Sequence, residues 1–263
     1  MPDLAQRLRS LPADTLTALA FFSRVPVRPQ PVSFDLRRTA GAWPVAGAAL
    51  ALGPALLFLL GAGLRLPPTV SALIALAAMA ILTGGMHEDG LADTADGFGG
   101  GATRGRKLEL MRDSRLGTYG ALALLFAILL KAAALGAIGV APWRAALAII
   151  SVAVVSRALA LWHWSATLPA RPDGMAASAG RPDSDSLAVA GIAALAAAIL
   201  LLLVFQFAAL LALLLAAVAV RLFSRFAEDQ IGGHTGDTIG ASQQIAEALL
   251  FVGLAFAATN VLA

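Results

Sequence analysis

Hydrophobic and polar positions fall into long blocks along this chain. Apolar blocks of a length that crosses a bilayer as a helix, about 17–25 residues, occupy 40–64, 69–85, 118–140, 145–164 and 241–262. A further block, 187–220, is too long for one ordinary span. A tight hairpin turning near Phe205-Gln206-Phe207 would fold it into two, for about seven spans in all. Short turns at 65–68 and 142–144 carry Pro and Arg. Longer polar stretches lie at 87–117, 165–186 and 221–240. The pattern predicts an all-α, polytopic transmembrane helical bundle, one integral membrane domain over 1–263. Residues 1–39 form an N-terminal segment without a long apolar run, and no cleavable signal peptide is expected. Within it, 11–27 is mildly amphipathic and suits an interfacial or a packed re-entrant helix.

Composition agrees. The chain is 59% hydrophobic and 13% charged, with a mean hydropathy of +0.81, against about 25% charged residues in soluble domains. It has no cysteine, which removes disulfides, thiolate metal sites and thiol nucleophiles. The net charge of +3 is explained better by basic cytoplasmic loops than by nucleic acid. With the N-terminus in the cytoplasm, the three polar stretches face the same side and hold Arg104, Arg106, Lys107, Arg112, Arg115, Arg171, Arg181, Arg221 and Arg225. The opposite side has only Arg65 and Arg144, which fits the positive-inside rule. On this topology 87–117 and 221–240 are cytoplasmic active-site loops.

The first of these opens His87-Glu88-Asp89-Gly90-Leu91-Ala92-Asp93-Thr94-Ala95-Asp96-Gly97. Four of the chain's sixteen acids fall within nine residues here. Asp89, Asp93 and Asp96 are spaced i, i+4, i+7 and would share one face of a helix. Like charges so placed repel, and a divalent cation is the simplest reason to keep them. Their hard oxygens suit Mg²⁺ or Mn²⁺, with Ca²⁺ an alternative. The plainer reading is a solvated acidic loop.

Gly97, Gly99, Gly100 and Gly101 follow, then Arg104, Arg106, Lys107, Arg112, Asp113 and Arg115. Backbone amides beside glycine and forked guanidinium groups both suit phosphate. A flexible turn and contact with anionic headgroups are the alternatives. Acids for a metal next to groups for phosphate form the combination that phosphoryl transfer requires. A second polar run, Gly232-Gly233-His234-Thr235-Gly236-Asp237-Thr238-Ile239-Gly240, precedes the last span. Asp237 would complete a metal site or position a hydroxyl nucleophile, and Asp237 or Thr238 would cap the helix. Ionisable residues inside spans are functional candidates. Arg157 lies near enough to the cytoplasmic end to meet an acid or phosphate. Glu247 is either functional or internally bonded, Lys131 has no evident role, and His163 between two tryptophans reads as an interfacial belt residue.

Three segments, His87–Gly97, Met111-Arg112-Asp113-Ser114-Arg115-Leu116-Gly117-Thr118-Tyr119-Gly120 and Thr235-Gly236-Asp237-Thr238-Ile239-Gly240-Ala241, resemble the signature segments of the cobalamin synthase (adenosylcobinamide-GDP ribazoletransferase) family. The resemblance covers nearly the whole chain. It implies a cytoplasmic-membrane enzyme that uses Mg²⁺ to join adenosylcobinamide-GDP to α-ribazole, or its 5′-phosphate, with release of GMP. Asp89, Asp93, Asp96 and Asp113 are the expected metal residues, with Glu88 as an additional ligand. Arg112 and Arg115, with Arg104, Lys107, Gly99, Gly100, Thr235 and Arg157, are the expected substrate residues. Asp237, His87 and Glu88 are the expected catalytic set. The expected partners are the small-molecule substrates and the lipid bilayer, with other corrinoid-pathway enzymes nearby in the membrane and a homo-oligomer left open. A CDP-alcohol-type membrane phosphotransferase is the alternative enzyme, although its pattern has Ala-Arg after Asp-Gly, and here Asp89-Gly90-Leu91-Ala92 is followed by Asp93 with the Arg missing. A transporter would place its acids deep within the spans, whereas most here lie at span ends.

Overall fold

The computed structural model describes residues 4–27 and 35–259; the end of the last expected span, 260–262, lies outside them. Helix α1 (Leu4–Phe22) precedes a short helix α2 (Leu36–Thr39), which runs through a 3₁₀ turn into α3 (Trp43–Gly63). Then come α4 (Pro68–Thr83), α5 (Met86–Gly100), α6 (Arg104–Leu110), α7 (Thr118–Ile138), α8 (Pro142–Ala166), α9 (Met175–Ala179), α10 (Ser184–Phe205), α11 (Phe207–Ile231) and α12 (Gly236–Thr259). Six segments are long and apolar enough to cross a membrane: Leu36–Gly63, Thr118–Ile138, Pro142–Ala166, Ser184–Phe205, Phe207–Ile231 and Gly236–Phe256. The pair α4 and α5, bent by 90°, brings the number to seven if it is taken as one span. The chain is thus a multi-pass, all-α membrane bundle. Among the described residues the β pairing is a single bridge between Pro169 and His234.

The chain turns where the sequence permits it. Pro142 and the Pro67-Pro68 pair stand at helix starts, where a missing amide hydrogen costs nothing. The long apolar block divides at Gln206, whose φ of 49° ends α10 and starts α11. Between α4 and α5, Gly84 and Gly85 both adopt left-handed conformations, φ 66° and 73°. Two such residues in succession are open mainly to glycine, and they send α5 across the end of the bundle. The expectation of a loop at 87–117 is therefore corrected: most of it is α5 and α6. Likewise 221–240 is mostly helix, because α11 continues to Ile231 with Ser224, Ala227 and Ile231 buried at helical spacing.

Leucines on the outer faces, such as Leu52, Leu56 and Leu60 of α3 and Leu125 and Leu129 of α7, are exposed. Facing lipid, they cost nothing there. The interior is built from small residues that let helices approach: a Cβ on Gly253 of α12 would lie 2.5 Å from the Cα of Ala212 in α11. The segments 165–183 and 230–237, together with α6 and α1, meet at one end of the bundle. Arg7 pairs with Asp183 and Arg112 with Asp173, while Arg104 donates to the carbonyls of Ile231 and Ala170. Arg65, in the turn between α3 and α4, and Arg144, in the first turn of α8, lie on the other side of the spans.

A polar network crosses the apolar interior. Lys131 Nζ of α7 donates to Gln244 Oε1 at 2.7 Å and lies 3.5 Å from Glu247 Oε2, both on α12. Gln243 Nε2 donates to Ser156 Oγ at 3.0 Å, and Gln244 Nε2 donates to Glu88 Oε1 at 3.1 Å. Lys131 thus acquires the role its sequence position did not disclose, and Glu247 is internally bonded. Removing one member of a buried ion pair strands its partner at a cost of about 3 kcal/mol or more. Lys131→Met is expected to lower the melting temperature in detergent by roughly 5–10 °C. Lys131→Met/Glu247→Leu should recover much of that loss. Equal melting temperatures for Lys131→Met and the parent would show that the pair carries no net stability.

Candidate active site

Helices α5 and α12 cross at Gly90 and Gly240. A Cβ on Gly90 would sit 2.8 Å from the Asp237 carbonyl oxygen and 3.3 Å from Gly240 Cα, so backbone meets backbone there. This contact brings Asp237, in the first turn of α12, beside the acidic face of α5. As the spacing predicts, Asp89, Asp93 and Asp96 do lie on one helix. Asp89 is exposed, and Asp93 and Asp96 are half-buried.

The acids differ in their surroundings. Burial, then the charges of Asp89, Asp237 and Asp96, push the Asp93 carboxyl from 3.8 up to about 7. Asp96 accepts hydrogen bonds from the Gly117 amide at 2.7 Å and the Gly120 amide at 2.8 Å, one on each oxygen. It thereby caps the start of α7 from a neighbouring helix. Among the described residues, Asp89, Asp93, Asp96 and Asp237 have no Lys or Arg within ion-pair distance. Asp113 is different: Arg115 donates to both its oxygens and holds its carboxyl down at about 2.

Three depressions converge on these acids. A cleft of about 560 Å³ runs from Asp89 and Asp93 to Arg112, Asp113 and Arg115. A second, of about 190 Å³, joins Asp237 and Thr235 to Arg171, Asp173 and His234. A third, of about 230 Å³, lies under α1 and is walled by Phe21, Phe22, Trp43 and Trp164, with Asp89 and Asp237 on its other side. A carboxylate cluster thus separates an aromatic cavity from a cleft rimmed by guanidinium groups.

Other expected residues take structural places. Gly99 and Gly100 lie in α5, so they form no open phosphate loop, and the Tyr119 ring packs over Gly99. Arg104 is spent on backbone carbonyls, and Lys107 donates to Gln230 Oε1. Glu88 turns inward to Gln244. His87 is buried and stacks on Phe22 at 5.5 Å. Burial, with Arg157 and Lys131 nearby, holds its imidazole well below the ordinary range and so neutral. Thr235 Oγ1 accepts from the Thr238 amide at 3.2 Å, so Thr235, and not Asp237 or Thr238, caps α12. Thr235 Oγ1 also donates to Asp237 Oδ2 at 3.1 Å, orienting it. Arg157 is buried on the wall of the aromatic cavity. His163 is no belt residue: it is fully buried, with Ser224 Oγ 2.8 Å from Nδ1 and Thr238 Oγ1 3.2 Å from Nε2. Sequence reasoning missed Gln243 and Gln244, whose adjacency in an apolar span was a signal, and the aromatic walls, which carry none.

Among the described residues no three His, Asp or Glu side chains converge closely enough to hold a metal ion alone. The donor chemistry still fits Mg²⁺. The acids are hard, repel one another and lack basic partners, and Mg²⁺ is usually held by one or two carboxylates together with water and substrate phosphates.

A family model described as cobalamin-5-phosphate synthase matches residues 14–255. An adenosylcobinamide-GDP ribazoletransferase of Rhizobium etli is 46% identical over 258 residues, 95% of this chain and 99% of the relative. Proteins of the same description from Azorhizobium caulinodans and Bradyrhizobium diazoefficiens are 44% and 43% identical, covering 92% and 95% of this chain and 95% and 96% of their own. No solved structure matches.

Proposed function

Since the chain belongs to the cobalamin-5-phosphate synthase family, we propose that it joins adenosylcobinamide-GDP to α-ribazole, or to α-ribazole 5′-phosphate, and releases GMP. The observation that carries this reading to the level of residues is the convergence of three depressions on Asp89, Asp93 and Asp237. A transfer between two large substrates needs two docking regions that meet at one reacting centre, and this arrangement supplies them.

The 3′-hydroxyl oxygen of the acceptor ribose forms a bond to the phosphorus attached to the cobinamide arm. The bond from that phosphorus to the bridging oxygen breaks, and GMP departs with the bridging oxygen and its charge. Asp237, oriented by Thr235, takes the hydroxyl proton. Arg112 and Arg115, on the rim of the cleft that contains Asp93, hold the diphosphate and offset the charge on the leaving group. Asp89 and Asp93 would hold Mg²⁺ together with water and substrate phosphate oxygens, which leaves Asp237 free to act as the base. When bound, the ion withdraws charge from the phosphoryl oxygens. Asp96 acts by fixing the start of α7 against α5. The reacting end faces the cytoplasm of the inner membrane on this reading; the charge asymmetry of the loops and a nucleotide substrate support that orientation.

Metal dependence is tested by stripping purified protein with EDTA and adding cations back. Turnover is expected to fall by roughly 10²-fold or more and to return with Mg²⁺ or Mn²⁺. Full turnover in EDTA would remove the metal from the reading.

A further inference from the structure

The cavity under α1 is lined differently from the other two depressions. Trp43 and Trp164 stack at 5.0 Å with 15° between their planes, and Phe22 meets Trp43 edge-on at 4.9 Å. Both tryptophans are buried, and neither indole N–H has a hydrogen-bond partner. Arg157 on the same wall is 2% exposed. Its Nη1 donates only to Ala153 of its own helix, at 3.1 Å, and its Nε has no partner. These three atoms are themselves enclosed, with Arg157 Nε packed against Gly47, so the wall turns mainly apolar ring surface toward the cavity. The carboxylates Asp89 and Asp237 stand at the side of the cavity that adjoins the reacting centre.

A ligand suited to this cavity is flat and largely apolar. At about 230 Å³ the space is enough for one bicyclic ring. Guanine fits less well, because its carbonyl, N1–H and exocyclic amine would leave water for a wall made mostly of ring faces. A glycosylated benzimidazole fits such walls better. One ring nitrogen is an acceptor, no N–H remains, and both faces are apolar.

We propose that this cavity is the site for the flat base of the acceptor nucleoside, which places the ribose at Asp237. The assignment rests on the transferase reading and adds to it a subsite built by α1, α3 and α8. It explains why an N-terminal helix with no acid in contact with the reacting centre is packed over that end of the bundle.

The test fills the cavity. Ala160, 3% exposed, lines it, and Ala160→Phe puts a ring where the base would lie. The KM for α-ribazole is expected to rise about tenfold or more, and the KM for adenosylcobinamide-GDP to stay within about twofold. Phe21→Ala, which opens a wall instead of filling the space, serves as a second variant should Ala160→Phe fail to give monodisperse protein; it is expected to raise the same KM. A binding arm needs no turnover. Titrating α-ribazole alone into the parent protein should quench tryptophan fluorescence saturably, and Ala160→Phe should abolish the quench. A rise confined to the KM for adenosylcobinamide-GDP would overturn the assignment and give the cavity to the donor's guanine. Unchanged KM values with unchanged quenching would remove the cavity from substrate binding. Saturable, variant-sensitive quenching in a protein without turnover would sink the transferase reading and leave the base site standing.

Discussion

Asp93→Asn is expected to reduce turnover by on the order of 10³-fold and, at pH 8, to raise the melting temperature. Both effects follow from one environment. Asp93 is half-buried, faces Asp89, Asp237 and Asp96, and its carboxyl titrates at about 7 instead of 3.8. The folded protein holds this proton more tightly than the unfolded chain does. Stability therefore falls as pH rises from about 4 to about 7 and stays reduced above that. Asparagine carries no charge to repel, so the variant should match the parent near pH 4 and melt a few degrees higher at pH 8 in metal-free buffer. Gain of stability with loss of activity separates a functional acid from one that supports the fold. A melting temperature that falls at pH 8 would show that Asp93 stabilises the bundle, and near-normal turnover would remove it from the site.

Gly90→Val should reduce turnover by about 10²-fold without touching a charged group. The contact at Gly90 is already close: even one methyl would lie 2.8 Å from the Asp237 carbonyl oxygen, and that neighbour is backbone, which cannot rotate away. Valine must separate α5 from α12 and with them Asp93 from Asp237. A displacement near 1 Å is enough to account for a loss of this size. Gly90→Ala should show a smaller loss of the same kind. Gly191→Ala in α10, where an added Cβ meets nothing within 4 Å, should behave as the parent. Equal activity for Gly90→Val and Gly191→Ala would show that the approach of the two helices does not set the site.

Much of the bundle could be read from the chain because lipid imposes one requirement, a continuous apolar run, and the spans follow it. The division near Gln206 followed from length alone. The reach of α11 to Ile231 was less visible, since Arg221, Arg225, Glu228 and Asp229 suggest a loop. In the structure Arg225, Glu228 and Asp229 are exposed at the end of a helix whose buried face, Ser224, Ala227 and Ile231, is modest in hydrophobicity. Helix α5 was masked by its glycines, which favour loops when judged locally. Tertiary contact decides otherwise, as Gly90 and Gly97 are the positions where α12 and Met111 press against the helix. The acidic face and Asp237 were legible as candidates because their chemistry is unusual in an apolar chain. The pairing of Lys131 with Gln244 and the aromatic walls joining α1, α3 and α8 were not, because they unite residues far apart in sequence and leave no local pattern.

The most direct measurement is a single assay on purified protein with adenosylcobinamide-GDP and α-ribazole in Mg²⁺, following corrinoid and nucleotide products together. The account predicts GMP and adenosylcobalamin appearing in equal amounts, each lost when either substrate is omitted. GMP release without α-ribazole incorporation, or no reaction from monodisperse protein, would contradict it.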